Sequence, residues 1–140
     1  MSIKVEEIMV KPVITLSVSS TVREAVEIMS RNEIRCIVVL YDNEAPVGII
    51  TERDMLERVL LPSKDPSTTR LWQIMSAPII FTDSKASVEY AVTLMTERRI
   101  KQLPIIEENR VIGLVSITDL IRSKAYLEYI SSSLLVQTSA

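Results

Sequence analysis

The chain is written twice. Ile8-Met9-x-x-Pro12-Val13-Ile14 returns as Ile74-Met75-x-x-Pro78-Ile79-Ile80, 66 positions on, and Val22-x-x-Ala25-Val26-x-x-Met29 returns at the same displacement as Val88-x-x-Ala91-Val92-x-x-Met95. Ile34 matches Ile100 and Asn43 matches Asn109. From Gly48 and Gly113 onward the displacement is 65, so one residue has been lost in the preceding turn, where loops tolerate such changes. A duplication of this length means one supersecondary unit used twice.

Each unit reads the same way. A short helical segment around Ile8-Met9 is ended by Pro12, and Val13-Ile14-Thr15-Leu16 is extended. Val22, Ala25, Val26 and Met29 fall at i, i+3, i+4 and i+7, one face of a helix reaching about Asn32 and opened by the capping box Thr21-x-x-Glu24. The β-branched run Cys36 to Tyr41 reads as a buried strand, and a turn at Asp42-Asn43-Glu44-Ala45-Pro46 leads to a strand Val47–Ile50. A second helix starts near Glu52 and carries Met55, Leu56, Val59 and Leu60 to about Leu61. The polar stretch 62–70 is a linker between repeat one (1–61) and repeat two (71–130). Repeat two predicts a strand near Ile79–Phe81, a helix over 87–98, strands over 102–107 and 111–115 and a last helix from 117 to about 130, with a tail over 131–140. A three-stranded sheet with two helices leaves one face uncovered. The expected fold is therefore α/β: two β-α-β-β-α repeats packed sheet to sheet with pseudo-twofold symmetry.

The repeated stretch that carries chemistry is Gly48-Ile49-Ile50-Thr51-Glu52-Arg53-Asp54, echoed as Gly113-Leu114-Val115-Ser116-Ile117-Thr118-Asp119. A buried strand turns into a helix, with a hydroxyl and a carboxylate in the helix's first turn. Unpaired N–H groups there suit an anion, and a carboxylate can accept hydrogen bonds from a sugar diol, as the acidic residue of dinucleotide-binding folds does. The same four residues are also capping boxes, which need no ligand. Asp is a methylene shorter than the usual Glu of such a box, and the whole seven-residue pattern recurs. Both roles can coexist.

Composition removes several alternatives. The chain has no histidine and a single cysteine, Cys36, which disfavours triad chemistry, zinc hydrolysis and an internal disulfide. A net charge of −2 argues against nucleic-acid binding, and Arg98-Arg99-x-Lys101 reads as a solvated face. No apolar run approaches membrane-spanning length and the first residues lack a signal-peptide core, so a cytoplasmic protein is expected.

Taken together, the tandem β-α-β-β-α units, the Ile-Met-x-x-Pro starts and the Gly-aliphatic-aliphatic-Thr/Ser-x-x-Asp ends resemble the CBS domain pair, or Bateman module, over about residues 3–125. The resemblance implies a non-catalytic regulatory module without a required cofactor, binding adenosine-containing ligands (AMP, ADP or ATP, alternatively S-adenosylmethionine or NAD) in clefts between the repeats. It implies that Asp54 and Asp119 bond ribose hydroxyls, that Thr51 and Ser116 bond phosphate or ribose, and that Val13-Ile14-Thr15 and Ile79-Ile80-Phe81 hold adenine. Arg53, Arg35, Lys101 and Arg99 are the candidate phosphate cations. Thr118, and Pro104 of the family-like Leu103-Pro104-Ile105, complete the ligand-binding set. Repeat two has no cation between hydroxyl and aspartate, so the sites are expected to be unequal, with the Thr51/Arg53/Asp54 site the better for phosphate. Homodimerisation through the helices around Met55, Leu56, Val59, Leu120 and Ile121, and regulation of a separate protein, are further implications. The competing readings are a protein–protein adaptor in which the aspartates only cap helices, and a nucleotide hydrolase using Asp54 or Asp119 as base, which the lack of a Gly-rich phosphate loop disfavours.

Overall fold

The structure, a computed structural model, describes residues 3–42, 44–123 and 130–132. In repeat one, strand β1 (Thr15–Ser17), helix α1 (Val22–Asn32) and strands β2 (Cys36–Tyr41) and β3 (Ala45–Thr51) follow in order. The sheet order is β1-β2-β3, with β1 parallel and β3 antiparallel to β2. Helix α1 begins where Thr21 accepts a hydrogen bond from the Glu24 amide and ends at Glu33, in the left-handed region at φ 53°. A register shift between Val39 and Leu40 absorbs one extra residue of β3 ahead of Gly48. Repeat two supplies helices α3 (Leu71–Ile74) and α4 (Val88–Arg98), strands β4 (Gln102–Glu107) and β5 (Arg110–Ser116) and helix α5 (Ile117–Arg122).

The strand expected near Ile79–Phe81 does not form. Its remnant is one parallel bridge, Thr82 to Ile105, in which the Thr82 amide donates to the Pro104 carbonyl and the Ile106 amide to the Thr82 carbonyl. The cause is Pro104, which has no N–H to carry the ladder back to residue 80. In repeat one the same position is Val38, whose amide does donate to the Ile14 carbonyl at 3.4 Å. Repeat two's sheet accordingly consists of β4 and β5. The helix expected over 52–61 also differs. One α-turn, α2 (Glu52–Asp54), passes directly into a π-helical stretch, Met55–Leu60. The wider turn leaves Val59 buried and Met55 partly so, while Leu56 and Leu60 are exposed. Helix α5 stops at Arg122 because Ser123 is extended, at ψ 144°. Of the helix expected to run on to about 130, residues 124–129 lie outside the described residues, and 130–132 are helical.

The described residues fall into two compact units. Of these residues, one unit gathers 3–11, 81–107, 112–123 and 130–132; the other holds 12–42 and 44–80 with 108–111. The first segment of each repeat is thus built into the other repeat's strands. In the first unit the amides of Val10 and Leu114 exchange hydrogen bonds with each other's carbonyls at 2.8 and 3.0 Å. In the second, Ile49 and Ser76 do the same at 3.1 and 2.9 Å. These bridges explain two motifs at once. The methionines of Ile-Met-x-x-Pro, Met9 and Met75, lie where a side chain at Gly113 and Gly48 would stand.

The second unit's core joins Val22, Ala25 and Met29 of α1 to Ile37, Val39, Ile50, Val59, Leu71 and Ile74. In the first unit the corresponding buried residues include Val5, Val88, Ala91, Met95, Leu103, Ile105, Val115 and Leu120. Cys36 is buried, and burial pushes its thiol up to about 12, so it stays protonated at neutral pH and is no nucleophile.

Candidate functional site

At both strand-to-helix junctions the capping box is formed. The Thr51 amide donates to Asp54 Oδ2 at 2.9 Å and the Ser116 amide to Asp119 Oδ2 at 3.0 Å. In return the Asp119 amide donates to Ser116 Oγ at 3.0 Å, and the Asp54 amide reaches Thr51 Oγ1 only at 3.5 Å. The helix's first amide is fixed by the residue ahead of the neighbouring strand: Glu52 donates to the Arg35 carbonyl at 3.2 Å and Ile117 to the Lys101 carbonyl at 2.9 Å. Arg35 and Lys101, equivalent positions with exposed side chains, are therefore placed beside their junctions by backbone bonds.

Beyond the box the two carboxylates differ. Asp54 is 6% exposed, and its Oδ2 also accepts from Thr51 Oγ1 at 3.3 Å. Its Oδ1 accepts from Ser76 Oγ at 3.3 Å and faces Arg58 Nε at 3.6 Å. Arg58 is held there by its Nη1, which donates to the carbonyls of Ile74 and Met75 at 3.0 and 2.9 Å. Asp119 is half-buried, and among the described residues its Oδ1 receives no hydrogen bond.

The other expected site residues divide clearly. Arg53 is brought to the surface, 76% exposed, and pairs with Glu57 at 2.9 Å. That hydrogen bond and charge raise its already high pKa. Arg99 is the exposed left-handed residue closing α4, at φ 55°. Thr118 is exposed in the first turn of α5, and Pro104 is buried in β4. Val13, Ile14 and Thr15 are half-buried, with Thr15 opening β1. Ile79 and Ile80 are half-buried and irregular, while Phe81 is 49% exposed. Ile80's carbonyl takes no hydrogen bond among the described residues, as Pro104's missing donor requires. Arg58 and Ser76 were not anticipated. Arg58 could have been found from its i,i+4 spacing to Asp54; Ser76, 22 residues away, carries no local signal.

Away from the junctions, α1 and the π-helical stretch enclose a groove of about 720 Å³, lined by Val22, Val26, Met55, Leu56, Val59 and Leu60 among others. Val26, Leu56 and Leu60 are 43%, 59% and 66% exposed there.

A duplicated α/β unit with a hydroxyl and a carboxylate closing each strand-to-helix turn defines a CBS-type module. The CBS domain profile matches residues 5–61 and 71–126, and the chain belongs to the CBS domain family, as a pair. An uncharacterized protein of Methanopyrus kandleri is 35% identical over 127 residues, covering 90% of this chain and 65% of its own length. The hexameric CBS-CP12 protein from bloom-forming cyanobacteria superposes with a TM-score of 0.83 at 30% identity, covering 91% of this chain and 75% of that one. A CBS domain pair solved in complex with 5′-methylthioadenosine and S-adenosyl-L-methionine gives 0.78 at 24% identity, over 87% and 95% of the two chains, a likeness of fold. The chain spans 65%, 24% and 52% of the first three curated relatives it matches. Among the described residues no helix is long and apolar enough to cross a membrane.

Proposed function

We infer that this chain is a non-catalytic regulatory module of the cytoplasm that binds an adenosine-containing ligand, AMP, ADP or ATP, by its ribose diol. The observation that carries the reading is the half-buried Asp119, whose Oδ1 receives no hydrogen bond among the described residues once the capping box is complete. A carboxylate accepts at about four lone-pair sites, so capping and diol binding are compatible in one residue. Ser116 and Thr118 add hydroxyls to the same turn, and Lys101, anchored at the junction, is the cation for phosphate. Without histidine or a reactive thiol the chain offers sensing rather than turnover. The groove along Val26, Leu56 and Leu60 supports a homodimer, through which occupancy would be passed to a regulated partner. In the second reading, favoured by the completed capping boxes, the chain is an adaptor that binds no nucleotide.

A thermal-shift screen separates the two. At roughly 0.3 kcal/mol per non-hydrogen atom a mononucleotide gains about 7 kcal/mol, a micromolar affinity. At a hundred times its Kd, binding adds about 2.7 kcal/mol of stability. The expected outcome is a rise of roughly 5–10 °C with AMP, ADP or ATP, with S-adenosylmethionine, 5′-methylthioadenosine and NAD as comparison ligands. No shift with any of them supports the adaptor.

A further inference from the structure

We propose that Arg58 and Ser76 form a latch on Asp54, so that the two copies of the junction are unequal diol receptors and the Asp119 copy is the one that fills first. The inference rests on the reading that these carboxylates take a ribose diol, and it reverses the order of the sites expected from Arg53. Counting acceptors carries it. Asp54 already takes three hydrogen bonds and an ion pair: the Thr51 amide and hydroxyl on Oδ2, Ser76 Oγ on Oδ1, and the Arg58 guanidinium with its Nε 3.6 Å from Oδ1. A diol arriving there must displace Ser76 and draw a nine-tenths-buried carboxylate away from a guanidinium, trading a charge-assisted contact for a neutral one.

The duplication shows that the latch is peculiar to one copy. Displaced by 66, Ser76 corresponds to Val10, which has no hydroxyl; displaced by 65, Arg58 corresponds to Ser123, which has no cation. Ser123 instead donates its hydroxyl to the Leu120 carbonyl at 2.7 Å, closing α5 one turn after Asp119. The π-helical stretch belongs to the same difference. It follows Asp54 without a break and contains Arg58, whereas the chain after Asp119 stays α-helical to Arg122. Arg58's two bonds to the carbonyls of Ile74 and Met75 anchor the guanidinium through contacts that do not involve the carboxylate.

Two measurements test this, one of them free of ligand. A double-mutant cycle in melting temperature, Asp54→Asn with Arg58→Gln, is expected to give a double variant that melts higher than the two single losses added together. Strictly additive losses overturn the latch. Calorimetric titration with AMP is expected to show one equivalent per wild-type chain. It should also show at least tenfold preference for AMP over its 2′,3′-dideoxy analogue, and Asp119→Asn should abolish that preference. The loss of AMP affinity in Asp119→Asn should exceed that in Asp54→Asn by tenfold or more, and the double variant Ser76→Ala/Arg58→Gln should gain a second equivalent. Equal losses at the two aspartates, or a preference that survives Asp119→Asn, overturn the assignment. A wild-type protein that binds no adenosine ligand removes the functional reading, and the assignment with it; the melting cycle then shows separately whether Arg58 holds Asp54.

Discussion

Valine in place of Gly48 is expected to lower the melting temperature by about 10 °C, roughly 3 kcal/mol for a chain of this size. The reason is space rather than backbone freedom, since neither glycine has positive φ. A Cβ built at Gly48 would stand 2.6 Å from Met75 Sδ and 2.9 Å from the Ser76 carbonyl oxygen. The thioether can turn away at small cost. The carbonyl cannot, because it accepts the Ile49 amide at 3.1 Å and belongs to the bridge that docks this segment. Valine's preference for strands offsets only part of this. Gly113 gives the built-in comparison: there the three atoms nearest a Cβ all belong to the side chain of Met9, with no backbone atom among them. Gly113→Ala is therefore expected to lose less than Gly48→Ala in the same thermal or denaturant melt, and equal losses would show that the backbone contact is unimportant. Since Ser76 also bonds Asp54, pushing this segment away disturbs the first copy of the site together with the fold.

Ile37→Ala is the second large effect, about 3–4 kcal/mol, read from a urea midpoint at unchanged m-value. Ile37 is fully buried on β2, directly opposite Ile50 of β3, and both belong to the core shared with Val22, Ala25, Met29, Leu71 and Ile74. The cavity would lie between two strands whose positions are set by hydrogen bonds on both sides of β2, so it can collapse only partly. A loss below about 1 kcal/mol would mean that the sheet adjusts freely, contrary to the packing described.

What could be read from the residues alone was whatever depends on near neighbours. Helix α1 ends at Asn32 and α4 spans Val88–Arg98 because the i, i+3, i+4, i+7 pattern, with the Thr21 cap in the first copy, is a local signal. Strands β2 and β4 stand where continuous apolar runs put them. Contacts made at a distance were not legible. That Met75 lies over Gly48 follows from the first segment of one repeat docking on the other repeat's strands, which no periodicity announces. The π-helical stretch escaped because Met55, Leu56, Val59 and Leu60 satisfy the α-helical pattern as well. The loss of the strand near Ile79 was legible in principle, since Pro104 stands in the neighbouring strand. At the site, Thr51-x-x-Asp54 and Ser116-x-x-Asp119 were found by their repetition, whereas the cation at Asp54 turned out to be Arg58, with Arg53 facing Glu57 instead.

The claim on which the account turns is that a carboxylate can close a helix turn and still hold a sugar. A crystal structure of the chain grown with AMP tests it most directly. The ribose 2′- and 3′-hydroxyls are expected about 2.7 Å from Asp119 Oδ1, with the Ser116 amide still on Oδ2. AMP seated with its diol away from Asp119, or no AMP bound at millimolar concentration, would contradict it.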